Sequence, residues 1–212
     1  MHRFAALGTV LLIWACASSQ PEDTESSAKL RAGDPNGPPT IGALPEVARG
    51  SSTPRLQQGL SLARQVLDTR LPEPPLDHSY QVLQSWIDRE VAPWVAKRRD
   101  GVDEARFQFG LEHDASVDEK VVGNAVLGIL QEDTALALTH IPQPTELDTE
   151  PEVAAIFRDL VQTQVQPFQN AALVEYRDCA SDASEEGAQL RRWANFCHGR
   201  LDRLESTLRA ER

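Results

Sequence analysis

The sequence is poor in the residues that most directly advertise a chemistry. It holds three cysteines and five histidines in 212 residues. None of them stands in a CxxC pair or an HExxH helix, so no metal-ligand spacing is present and neither metal nor cofactor is expected. Walker A, GxGxxG and GxSxG are absent, which removes the phosphate-cradling, dinucleotide-binding and nucleophile-elbow motifs. Positive charge is short: 21 Lys+Arg face 32 Asp+Glu, a formal net charge of −11. Sequence-independent affinity for nucleic acid rests on neutralising phosphates, so no nucleic-acid partner is expected. No apolar run reaches the ~18 residues that a membrane-spanning helix needs. What is there is an ordinary globular balance, 41% hydrophobic and 25% charged.

The N-terminus carries an address. Met1-His2-Arg3 is followed by the mostly apolar Phe4–Ala15 and then by Cys16. A short basic start with about twelve apolar residues reads as a secretory signal. Ile13-Trp14-Ala15-Cys16 resembles a bacterial lipobox, with an aliphatic residue at −3 and a small one at −1; Trp14 departs from the usual small or polar −2. Ala15-Cys16-Ala17 also fits an A-x-A cleavage site, so both processing routes stand. The lipobox resemblance implies that residues 1–15 are removed and that Cys16 carries lipid, each buried methylene adding ~0.8 kcal/mol of anchoring. Ala17 and Ser18, without an Asp after the Cys, point to the outer membrane.

Residues 17–54 hold six Pro, four Gly and six Ser. Their one apolar cluster, Ile41-Gly42-Ala43-Leu44, offers little surface to offset ordering entropy. The segment from Cys16 to residue 54 is therefore expected to be a disordered tether spanning roughly 30–35 Å. An ordered arm touching the domain through Ile41 and Leu44 is the alternative.

The helical domain is expected over 55–212, about 158 residues and enough to bury around two thirds of the unfolded surface. Thr53 as N-cap and Pro54 as first helical residue open a helix lined by Leu56, Leu60, Ala63 and Leu67. Ser79 opens a second one with Leu83, Trp86, Ile87 and Val91 inward. Pro93 kinks or restarts it, Lys97-Arg98-Arg99 suits its C-terminus, and Asp100-Gly101 reads as a turn. Residues 102–113 alternate like a strand, yet a lone strand has no partner, so a short helix is expected there. Ser116-Val117-Asp118-Glu119 is a capping box opening a strongly apolar central helix over 117–139, and Thr149-Glu150-Pro151-Glu152 is a second such box. The latter leads into Phe157, Val161, Val165, Phe168, Ala172 and Tyr176, whose spacing survives Pro167 and predicts one kinked helix. Leu190, Ala194, Cys197, Leu201, Leu204 and Leu208 line the last helix. The fold class is all-α: an irregular bundle of five or six helices.

Candidate chemistry is thin. Glu112-His113-Asp114 is the densest titratable cluster, but adjacent side chains point in different directions and the trio reads first as a solvated loop. Glu132-Asp133 could set one carboxylate near the core, though a polar face turned to water is the plainer reading. Trp86, Trp94 and Trp193 could line a ligand groove; core packing is the commoner role at helical spacing. No catalytic residue is assigned.

Cys179 and Cys197 are expected to pair, since the envelope is oxidising. A last helix starting at the box-like Asp182-Ala183-Ser184-Glu185 would keep them too far apart for the ~4.4–6.8 Å between Cα atoms that a disulfide requires. A turn at residues 187–189, with Gly187 as C′ residue and a helix through residue 186, sets both about nine residues from it and face to face. The expected architecture ends in a disulfide-linked helical hairpin.

The C-terminal pattern Ala172-x3-Tyr176-x2-Cys179-Ala180, then Trp193-x2-Phe196-Cys197-x2-Arg200-x3-Leu204, resembles that of uncharacterised secreted or lipid-anchored helical proteins of high-GC Gram-negative bacteria. The small share of Lys among the cations, three beside 18 Arg, agrees with such an origin. The resemblance covers roughly the last 40 residues and implies no activity. The expected function is a non-catalytic binding or scaffolding role in the cell envelope, on the periplasmic side, with the membrane as partner through the lipid and a protein partner beside it. An envelope hydrolase using Glu112, His113 or Asp133, and a carrier of an apolar ligand, are the alternatives.

Overall fold

A computed structural model describes residues 35–47, 52–111, 114–185 and 190–210. Six α-helices account for most of them: α1 Pro54–Asp68, α2 Tyr80–Trp86, α3 Ala92–Phe109, α4 Val117–Leu138, α5 Pro151–Glu185 and α6 Arg191–Ala210. There is no strand among the described residues. The chain is all-α, and α2 and α3 are joined without a break by one π turn, Ile87–Val91. Pro93 explains that turn. It has no N–H to donate, its ring crowds the carbonyl one turn back, and the wider turn in front of it absorbs the mismatch.

The helix starts follow local chemistry. Thr53 Oγ1 accepts from Leu56 N–H ahead of Pro54, and Ser116 forms a complete capping box with Glu119. The second expected box is not made. Thr149 closes a 3-10 turn, Pro151 is the first residue of α5, and Ala154 N–H donates to the Glu150 carbonyl, so Thr149 lies one residue too early to cap.

The expected helix end at Lys97–Arg99 and the turn at Asp100-Gly101 are corrected: α3 runs through both to Phe109. Gly101 serves a helix crossing rather than a turn. A Cβ there would stand 2.5 Å from Val66 Cγ2, so only glycine lets α1 pack so closely. The chain reverses instead at Gly110, whose φ of 69° lies in the left-handed region that glycine enters without strain. Residues 102–109 are helical, as expected.

The long α4 is central and buries residues along most of its length. It divides the interior in two. Its residues up to Leu130 join Leu56, Ala105, Phe109, Tyr176, Trp193 and Phe196 in a larger core. Ala135 and Leu138 join Leu83, Trp86, Val91, Trp94, Val165 and Phe168 in a smaller one.

Between them α5 forms a single 35-residue helix with Pro167 inside it. Because α5 continues to Glu185, residues 182–185 form its last turn and not the start of α6. The Cys179–Cys197 disulfide joins α5 to α6 with a Cα–Cα distance of 6.1 Å. The expected turn at 187–189 lies outside the described residues.

The expectation of a disordered tether through residue 54 is corrected for residues 35–47. Ile41–Ala43 makes a 3-10 turn, and Ala43 and Leu44 are buried in the larger core. The carbonyls of Pro35, Asn36 and Gly37 accept from Arg200 and Arg203 on α6. Pro35 lies where a Cβ on Gly199 would be, 2.5 Å from its own Cβ. A few apolar side chains suffice to order this arm because α6 also satisfies its backbone oxygens, which a composition count cannot register. Residues 16–34 and 48–51 of the expected tether lie outside the described residues.

Candidate functional site

The most polar place in the interior is one turn of α4, Glu132-Asp133-Thr134, set between the two cores. Two of the three side chains meet Arg98 and the third turns to Tyr176 and Arg200. Asp133 pairs with the Arg98 guanidinium from α3. Thr134 Oγ1 accepts from Arg98 Nε at 3.0 Å and donates to the Leu130 carbonyl at 2.7 Å. Glu132 Oε2 accepts from the Tyr176 hydroxyl of α5 at 2.8 Å and stands 3.4 Å from Arg200 Nε.

Two arginines thus lie buried on either side of α4, each 1% exposed. Arg98 also donates to the Val66 carbonyl of α1 at 2.5 Å and lies over the Trp94 ring, 5.4 Å from its centroid. Arg200 Nη1 donates to the carbonyls of Pro35 and Gly37 at 3.1 and 2.7 Å. Its Nε and Nη2 make no hydrogen bond among the described residues. Arg203, one turn on, donates from Nη1 to the Asn36 and Gly37 carbonyls at 2.7 and 2.8 Å.

The electrostatics follow from burial. Desolvation raises the Asp133 carboxyl above its ordinary value although Arg98 opposes it, and lowers the Arg98 guanidinium although Asp133 opposes that. Desolvation, reinforced by Glu132, pushes the Tyr176 phenol well up, so it remains a donor. Further along, Glu175 pairs with Arg106, and burial still raises its carboxyl. Beside this girdle opens a cleft of about 240 Å³, bordered by Pro39, Glu132, Leu136, Gln169, Arg203 and Thr207. Its wall mixes the polar Glu132, Gln169 and Arg203 with the apolar Pro39, Ala135, Leu136 and Leu204.

The sequence-derived candidates are scattered. Cys16, Glu112 and His113 lie outside the described residues. Asp114 forms an exposed ion pair with Arg55 at 2.8 Å. Asp133 lies at the core edge, which overturns the plainer reading of a carboxylate turned to water, and its side chain pairs with the Arg98 guanidinium. Trp86 and Trp94 belong to the smaller core and Trp193 to the larger, so the three do not line one groove. Trp94 Nε1 donates to the Thr69 carbonyl at 2.8 Å. No group of three His, Cys, Asp or Glu that could hold a metal ion occurs among the described residues.

Sequence reasoning missed Arg98, Arg200 and Arg203. A signal for Arg200 was present: it lies three residues after Cys197 and four before Leu204, on the buried line of α6, where a charge demands a partner. The partner itself is 165 residues away in the chain, and no spacing rule reaches that far. Compared with known proteins, the chain matches no family model, and no match was found among curated proteins or solved structures.

Proposed function

We propose that the chain is a lipid-anchored protein of the cell envelope, periplasmic in exposure, whose helical domain binds other macromolecules and has no catalytic role. The observation that carries the non-catalytic part is the use of the buried carboxylates. Asp133 holds Arg98, Glu132 holds Tyr176 and stands beside Arg200, Glu175 holds Arg106, and Glu119 caps α4 while accepting from Thr53 at 2.6 Å. Groups tied into structural pairs of this kind are poor general acids or bases, because catalysis needs a carboxyl free to exchange its proton with substrate. The address is supported by the lipobox-like Ile13–Cys16 and by the disulfide, which persists in an oxidising compartment.

The arm adds a mechanical feature. An anchored N-terminus would pull on the chain at Pro35, and that residue is seated on α6. Any pull is then taken up by Arg200 and Arg203, about one and two turns beyond Cys197 on α6. The test is Cys16→Ala followed by cell fractionation and lipid labelling. Loss of the label and release from the membrane are expected. Retention of both would overturn the anchoring.

A further inference from the structure

The helix α5 has two apolar lines on opposite sides. The inner one, with Ala154, Val165, Phe168, Ala172, Tyr176 and Cys179, is buried, Val165 and Phe168 in the smaller core and the last three in the larger. The outer one runs Val153, Ile156, Leu160, Pro167 and Val174, at intervals of 3, 4, 7 and 7, the repeat of a coiled-coil seam. Val153, Ile156, Leu160 and Val174 are 40, 58, 60 and 50% exposed. At 1.5 Å per residue the line is about 32 Å long. A helix apolar on both sides belongs in a place where both are covered, and here no described element covers the outer one.

The charge around it selects the occupant. Between residues 146 and 159 stand five carboxylates, Glu146, Asp148, Glu150, Glu152 and Asp159, against the single cation Arg158. Arg158 is two positions from both Ile156 and Leu160, 200° round the helix, and points away from the line. A second copy packed in parallel would bring the same carboxylates against themselves, and an anionic lipid surface would repel them. We propose that the outer line of α5 receives a partner helix with apolar residues at matching 3-4 spacing and Lys or Arg along its flanks, packed lengthwise as in a two-stranded coiled coil. This rests on the binding role proposed above and names the partner's chemistry.

The experiment uses the full chain on phosphatidylcholine nanodiscs. Two labelled three-heptad helical peptides with identical apolar positions are titrated in, one flanked by Lys and the other by Glu. The Lys peptide is expected to bind at least ~10-fold more tightly, with the gap closing in about 0.5 M salt. Leu160→Glu and Ile156→Glu should each weaken it by roughly 10-fold, while Phe107→Glu, on an exposed apolar residue of α3, should not. If Leu160→Glu fails to fold by circular dichroism, Leu160→Ser replaces it.

Equal affinity for both peptides, or indifference to the α5 variants, overturns the proposal. So does a dimer in sedimentation that Ile156→Glu dissolves, or phosphatidylglycerol vesicles that bind through the same residues. A chain that ignores the nanodiscs but binds the Lys peptide undoes the anchoring alone.

Discussion

Arg98 and Arg200 are equally buried and sit on the two sides of one helix, yet they are satisfied differently. Arg98 finds everything within the bundle: Asp133 and Thr134 on α4, the Val66 carbonyl on α1 and the Trp94 ring beneath it. Arg200 has a carboxylate 3.4 Å from its Nε, and its hydrogen bonds go to an arm from the other end of the chain. A buried guanidinium closed by its own core is a structural fastener. One that depends on a distant segment ties that segment to the core, and losing it frees the segment first. Arg98 should therefore matter mostly to global stability, and Arg200 to the attachment of the arm.

The largest expected effect comes from Arg98→Ala. It leaves Asp133 without its cation and takes one of two donors from the Val66 carbonyl, which still accepts from Thr69 N–H. Breaking a buried pair typically costs ~3–5 kcal/mol, and the lower end applies because the Asp133 side chain is 34% exposed. Denaturant unfolding should show a loss of about 3 kcal/mol. Next comes the disulfide. The bond closes a separation of 18 residues, so Cys179→Ala with Cys197→Ala should lower stability by about 3 kcal/mol in the chain-entropy model. Fold and helix content should survive, because Tyr176 and Phe196, packed edge to face, still join α5 to α6.

Arg200→Gln with Arg203→Gln should cost less, about 1–2 kcal/mol, since Tyr176 still satisfies Glu132. The arm is where it should show: proteolysis near residues 35–47 should accelerate well before the helices are cut.

The smallest effect concerns pH. Burial raises the Glu175 carboxyl, so the folded state keeps that proton to higher pH than the unfolded chain does. Its contribution is full below the unfolded value and is lost as pH rises through the window up to the raised one. Glu175→Gln should flatten the fall in melting temperature across that window. An unchanged slope would mean that Arg106 fully offsets the burial.

The same contrast explains what could be read from residues alone. Helix starts at Thr53 and Ser116 were legible because a cap is made within four residues. The α5–α6 pairing was legible because an antiparallel hairpin is symmetric about its turn, and Cys179 and Cys197 mark that symmetry. The end of α3 was not, because Gly101 answers to Val66 on another helix while carrying the local mark of a turn. The arm was not, because its Pro- and Gly-rich composition says how little apolar surface it has and nothing of the two arginines that take its carbonyls. Asp133 was seen as a candidate for the core edge, but its partner on α3 lay in a stretch read as a basic helix end.

The central claim is that residues 35–47 belong to the folded domain because Arg200 and Arg203 hold them there. Amide hydrogen exchange of the arm in the parent chain and in the Arg200→Gln, Arg203→Gln variant tests it most directly. The account predicts protection at Ala43 and Leu44, whose N–H groups donate to the Thr40 and Ile41 carbonyls at 3.0 and 3.2 Å. That protection should be lost in the variant while α4 exchanges as before. An arm that exchanges freely in the parent chain, or one that stays protected in the variant, would contradict it.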